Sequence, residues 1–401
     1  MSRPSLEVAD LVRLHGEDFL KRFRSVVSSA TLRVLRDIRD CRTAALGGHV
    51  QRCDQCGHEE VSYNSCRNRH CPKCQAAARA EWLAAREDDL LPVCYFHVVF
   101  TVPSEIAAIA LQNKRLMYGI LLRASAQTLL QIASDPKHLG ARTGFISVLH
   151  TWGQNLMHHP HVHCVVPGGG LSPDGDHWIP CRPEFFLPVR VLGRVFRGKF
   201  LAMTKRAFAD KKLIFQGALS PLLEPSAFAA HMKRCYKSDW VVYAKKPFGG
   251  PQQVLKYLAR YTHRVAISNH RLLALDDGRV RFLWKNYARG SKIQVMTLDV
   301  VEFLRRFLLH VLPRGFMRIR HYGILANTNK ATMLAQCREA LNAKIHAPEA
   351  TSTADLSVVL DPDDLRSCPQ CGNGRMLIAA TLQPGEQPPA AVGVLAPVDS
   401  S

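Results

Sequence analysis

Two Cys-x-x-Cys pairs, Cys53-Asp-Gln-Cys56 and Cys71-Pro-Lys-Cys74, stand fourteen residues apart in this chain. That separation is close to what a two-knuckle ribbon needs to wrap four thiolates around one tetrahedral zinc ion. Cysteine, glycine, asparagine and arginine replace helical periodicity here, so residues 41 to 90 are expected to be a small metal-stapled module ending in a helix over Ala76 to Leu91. The opening residues do not resemble a signal peptide, and apolar stretches such as Leu90 to Val102 are far short of a membrane span. The expectation is a soluble intracellular protein in which 13 cysteines serve zinc better than disulfides.

Cys66 and His70 lie within the same segment, and Cys41 and His49 lie just before it. Cys66 and His70 are candidates for a second zinc site, although His70 suits phosphate contact equally well. Arg67 and Arg69, in the basic stretch Asn64-Ser-Cys-Arg-Asn-Arg-His, suit contact with phosphate or bases. A lone knuckle, Cys368-Pro-Gln-Cys371, has no second pair downstream, and Cys337 or His346 are the residues that would complete it.

A second feature is His158-His-Pro-His-Val-His163, which reads as a β-strand after the apolar run Phe145-Ile-Ser-Val-Leu. Strand side chains alternate faces, so His159, His161 and His163 would point the same way and converge on one metal ion. Imidazole is a poor core filler, which weighs against packing as the reason for three histidines in register.

The 53 Lys plus Arg against 33 Asp plus Glu give a net charge of +20, spread along all 401 residues. Such a distribution implies a polyanionic partner, most simply nucleic acid held through its phosphates. Residues 1 to 40 read as one or two basic amphipathic helices, and residues 92 to 345 as a larger domain of mixed helix and strand. Its expected elements include a strand at Tyr95, a helix over Ile106 to Ala133 and paired strands over Gly144 to Trp152 and His159 to Val166. Further on come mostly helix over Phe185 to Phe208, a strand over Trp240 to Ala244 and a helix over Pro251 to Thr262. A hairpin through Asp276-Asp-Gly and a helix over Asp299 to Leu312 follow. Residues 346 to 381 carry the lone knuckle, and the Pro, Ala and Gly content from Leu382 to Ser401 suggests disorder.

Tyr257-Leu-Ala-Arg260-Tyr261-Thr-His-Arg264 places two tyrosines four apart on the expected helix, each followed three residues later by arginine. Positions i and i+4 share a helix face about 6 Å apart, so both hydroxyls could address one metal-bound phosphate. With His161-Val-His163 and the downstream Pro-Gly-Gly-Gly, this resembles the HUH endonucleases, and among them the two-tyrosine rolling-circle transposases of the insertion sequence 91 type. Phe96-His-Val-Val-Phe-Thr-Val-Pro resembles their first-strand motif, and Arg42 to Cys74 their zinc-binding domain. The resemblance covers roughly residues 30 to 375, with arginine where relatives often carry lysine after each tyrosine.

The resemblance implies an α+β fold: a central antiparallel sheet flanked by helices, preceded by the zinc module. It implies Mg²⁺ or Mn²⁺ at the histidines, attack by Tyr257 or Tyr261 on single-stranded DNA at transposon ends and target, and a covalent 5′-phosphotyrosine. A cytoplasmic bacterial protein associated with the nucleoid is expected. His161 and His163 are the expected ligands, with His159, His150 and Gln154 competing for the third place, and Arg260 and Arg264 as phosphate contacts. Three alternatives stand beside this reading. A replication initiator or relaxase would use the same centre, a zinc protein could bind nucleic acid without catalysis, and a zinc hydrolase is disfavoured because only Asp174 and Asp176 are near in sequence to act as base.

Overall fold

The computed structural model describes residues 4–74, 82–83, 85–86, 88–248, 253, 266–287, 290–341, 367–388 and 393–394. Half of the expected helix over Ala76 to Leu91 and all but Gln253 of that over Pro251 to Thr262 lie outside these residues, as do Tyr257, Arg260, Tyr261, Arg264 and His346.

The chain starts with two helices, Val8–Phe23 (α1) and Ser29–Asp40 (α2). In α2, Thr31, Val34, Leu35 and Ile38 repeat at helical spacing and are buried, and Ser28 caps the start by accepting from the Thr31 N–H. Glu7 begins α1 and reaches the ammonium of Lys73 at 2.5 Å, in the middle of the Cys71–Cys74 knuckle. Both side chains are nearly inaccessible, at 4% and 5% exposure, so the pair is shielded from bulk water. Glu7→Ala is expected to cost ~3–5 kcal/mol by removing one side of this buried ion pair, read as a shift of the urea midpoint; an effect under ~1 kcal/mol would mean the pair is solvated. The module continues with Gly48–Cys53 (β1) and Glu59–Tyr63 (β2), an antiparallel pair.

The larger domain opens with Tyr95–Thr101 (β3) and then two helices, Ser104–Gln112 (α3) and Lys114–Ser134 (α4). A single helix was expected here. Asn113 breaks it: its side-chain amide donates to the carbonyls of Ile109 and Ile214, and its oxygen accepts from the Ile214 N–H at 2.8 Å. Side-chain amides of this kind compete with the helix ladder. Gly144–Trp152 (β4) and His158–Pro167 (β5) follow, then a ribbon of Gly169–Leu171 (β6) and Trp178–Pro180 (β7). Val189–Ala209 (α5), Pro225–Lys237 (α6) and Val242–Phe248 (β8) complete this stretch.

Leu272–Asp276 (β9), Arg279–Asn286 (β10) and Lys292–Asp299 (β11) form a separate antiparallel sheet. Its first hairpin turns at Asp277 (φ 48°) and Gly278 (φ 71°), the two positive angles that a tight twisted hairpin requires. Asp299 accepts from the Val301 and Glu302 N–H groups and so starts Val300–Leu308 (α7) one residue later than expected. Val8, Leu11 and Phe19 of α1 pack with Leu35, Ile38, Phe282, Phe303 and Phe307 in one core, so the first helices rest directly on α7 and its sheet.

Ile319–Gly323 (β12) and Lys330–Ala340 (α8) return to the larger domain. Its central sheet has the order β12-β4-β5-β3-β8, with every pairing antiparallel, and helices cover it, so the class is α+β. Along β5, Val162, Cys164 and Val166 face the helices α4 and α5. Val165 faces the other way with Ile146 and Val148, under Leu171, Ile324 and Leu334. His161 and His163 share the second face by alternation.

Met376–Leu382 (β13) and Gly393–Val394 (β14) were expected to lie in or beside a disordered tail. Instead they flank the zinc module, giving a four-stranded sheet in the order β13-β1-β2-β14. A ladder needs backbone donors and acceptors, and the free edges of β1 and β2 offer them regardless of side-chain composition.

Candidate metal centres

His150 on β4 lies directly opposite His161 on β5, and His163 follows two residues later on the same face. Their ligand nitrogen atoms all lie within 4.8 Å of one another. The ring of His150 leans on Trp152 at 4.6 Å between centroids, and the sheet fixes the other two rings. His161 Nδ1 donates to the His159 carbonyl at 2.7 Å, which leaves Nε2 as its ligating atom. His163 Nδ1 meets His97 Nε2 at 2.7 Å, with the two rings parallel to within 2°. With His163 Nδ1 as the donor of this pair, its Nε2 is again left to a metal.

Burial lowers the His161 pKa to about 4, and burial together with the charge of Lys245 lowers that of His97 to about 3. Neutral imidazoles at physiological pH are what a cation needs, since a ligand nitrogen must carry no proton. The donor set therefore fits a divalent ion. Three nitrogens leave further coordination positions open.

The structure gathers His150, and not His159, with His161 and His163. Between His150 and Trp152, β4 spends one residue while β5 spends two, His159 and Pro160, before the ladder resumes at His158. Pro160 has no N–H to donate, and the extra residue is a bulge that breaks the alternation. His159 is exposed and contributes its carbonyl instead. Gln154 lies beyond the strand, where its carbonyl accepts from Arg271 at 2.7 Å. His97 was not picked out from the sequence, yet it orients His163 from the neighbouring strand. His97→Phe is expected to weaken metal binding ~10–100-fold without unfolding the sheet, measured by manganese titration; unchanged affinity would remove the orienting role.

The thiolates do not form the single group expected from their spacing. Cys53 and Cys56 are apart from Cys71 and Cys74, and each pair finds partners elsewhere. Cys71 and Cys74 join Cys41 and Cys66 in one cluster, with Cys74 Sγ at 3.5 Å from Cys41 Sγ and 3.6 Å from Cys66 Sγ. Cys53 and Cys56 join Cys368 and Cys371 in another. Cys337, the proposed completion of the last knuckle, is buried in α8 against Leu334.

One family model, described as "Putative transposase", matches residues 144–332, and another, described as "Transposase zinc-binding domain", matches residues 11–102. "Putative transposase y4qJ" of Sinorhizobium fredii (strain NBRC 101917 / NGR234) is 56% identical over 381 residues, covering 94% of this chain and 96% of that protein. "Transposase for insertion sequence element IS801" of Pseudomonas savastanoi pv. phaseolicola is 28% identical over 357 residues, covering 85% of this chain and 82% of that protein. The chain belongs to the insertion sequence 91 type transposases. No solved structure matches.

In this transposase the cluster of Cys41, Cys66, Cys71 and Cys74 falls wholly within the zinc-binding domain, and zinc is its natural occupant. His70 is not among these ligands. Its Nε2 accepts from the Leu312 N–H at 3.4 Å, and burial with nearby Arg69, Arg318 and Lys114 lowers its pKa to about 3. Arg69 likewise turns inward, donating to the carbonyls of Pro313 and Phe316. Arg67 is exposed on the same loop. A transposase acts on DNA, and the charge of +20 suits that partner. No helix among the described residues is long and apolar enough to cross a membrane.

Proposed function

We propose that this transposase nicks and rejoins single-stranded DNA through a covalent 5′-phosphotyrosine, in a rolling-circle cycle at the ends of its insertion sequence. The convergence of His150, His161 and His163 at one end of the central sheet carries the reading. Tyr257 or Tyr261 attacks the scissile phosphorus. The bond to the 3′ oxygen breaks, a free 3′-hydroxyl leaves, and the phosphodiester energy is kept in the tyrosine ester, so joining needs no ATP. The second tyrosine then accepts the other strand end.

Ionising a tyrosine of ordinary pKa at pH 7 costs about 4 kcal/mol, so the attack needs help at the phosphate. A divalent cation held by the three histidines would polarise that phosphate and offset the charge developing on it. Arg260 and Arg264 hold flanking phosphates, and the zinc module positions the DNA. Of the two expected ions, Mn²⁺ suits an all-nitrogen donor set better than Mg²⁺, which prefers oxygen ligands. The site of action is the bacterial nucleoid.

The test incubates the transposase with labelled single strands from the insertion-sequence ends and Mn²⁺ or Mg²⁺. A protein–DNA adduct that survives denaturation is expected, lost in the Tyr257→Phe, Tyr261→Phe double variant. An adduct that persists in the double variant rejects the tyrosine assignment. Its absence from the unaltered protein on every end sequence rejects the mechanism.

A further inference from the structure

We propose that Cys53, Cys56, Cys368 and Cys371 hold a second structural zinc ion, which fastens the C-terminal strand to the N-terminal module. Cys53 and Cys56 lie within the matched zinc-binding domain, but Cys368 and Cys371 lie outside both matched regions, so neither family model spans the whole site. Cys53 Sγ lies 3.8 Å from Cys371 Sγ, and Cys56 Sγ lies 3.6 Å from Cys368 Sγ. A tetrahedron of zinc–sulfur bonds of about 2.3 Å has sulfur–sulfur edges of about 3.8 Å. A disulfide would need about 2.05 Å.

The two halves repeat each other in detail. Each has a Cys-x-Gln-Cys-Gly sequence. In each, the glutamine N–H points at the first sulfur at 3.4 Å, from Gln55 to Cys53 and from Gln370 to Cys368. In each, the glycine after the second cysteine, Gly57 or Gly372, has φ 72° and returns its N–H to the first cysteine's carbonyl. Further amides, of Cys56 and Gly374, point at Cys53 Sγ and Cys371 Sγ at 3.5 and 3.3 Å. Amides directed at sulfur stabilise thiolate, the form that binds metal. Asp54 stitches the halves together, accepting from the Arg375 N–H at 2.8 Å, and a side chain at Gly374 would collide with Cys53 Sγ.

Apolar packing does not account for this join. The clusters around β13 are small: Val50, Val61 and Leu382 at one end, and Cys53, Cys368 and Met376 at the other. Five of the seven β13 residues, Leu377 to Thr381, are exposed. So little burial cannot hold a strand in place, and small folds in that position use metal instead. Zinc at these thiolates supplies the missing stabilisation.

The zinc content of the full-length chain decides the matter, counted in a His161→Ala, His163→Ala background so that the histidine cluster contributes none. Two zinc ions per chain are expected, falling to one when Cys368→Ser and Cys371→Ser are added. One zinc before the cysteines are changed, two afterwards, or iron in place of zinc would each overturn the proposal. Should the cysteine variant precipitate, cobalt exchange into the otherwise unaltered chain replaces it. Thiolate charge-transfer absorption equivalent to eight cysteines is expected, and absorption equivalent to four overturns the assignment.

Discussion

His163→Ala should lower the rate of adduct formation by ~10³-fold, about 4 kcal/mol of transition-state stabilisation, while leaving the thermal unfolding of the transposase nearly unchanged. His163 sits between His150 and His161, with ring centroids at 4.3 and 4.8 Å, so its loss removes the member of the cluster nearest to both others. His150→Ala should be almost as damaging, and its manganese affinity should fall in step. His159→Ala should change the rate by less than ~10-fold, because that side chain stands outside the cluster and only its carbonyl is used. Equal losses at His159 and His150 would refute the assignment of the third ligand.

Cys71→Ser should unfold the N-terminal module and the helices resting on it. Cys41 and Cys71 are buried in the same core as Leu11, Phe19, Ile38 and Phe303, so the metal cluster and the apolar core support each other. Structural zinc contributes about 10–16 kcal/mol to small modules, and losing even ~5 kcal/mol matches the whole stability of an ordinary domain. The expected result is loss of one zinc and of amide-exchange protection across α1 and α2. Retained protection with the zinc gone would show that packing alone suffices.

The sequence made visible what depends on neighbours in the chain. Strand β5, the β9–β10 hairpin and the amphipathic α1 and α2 all follow from short-range periodicity and turn chemistry. His161 and His163 could be named for the same reason. The third member of the cluster could not, because it depends on one bulge at His159 and Pro160 that alternation rules do not foresee. The cysteines were misgrouped for a different reason. Spacing favours partners close in sequence, but Cys56 meets Cys368 across 312 residues, and only the strand pairing of β1 with β13 brings them together. Arg69 and His70 have polar neighbours in sequence and so read as surface contacts, whereas the distant segment from Leu312 to Phe316 supplies their backbone partners.

The two-ended sheet also sets a timetable for the chain on the ribosome. Cys56 emerges 312 residues before Cys368, which at ordinary synthesis rates is a wait of roughly 15 to 60 s. During that interval the first knuckle is a pair of exposed thiols beside an open strand edge, able to take up stray metal or pair with another nascent chain. Only a ribosome that has passed Cys371 can close the module, so a product stopped before it keeps its histidine cluster yet leaves that edge uncovered.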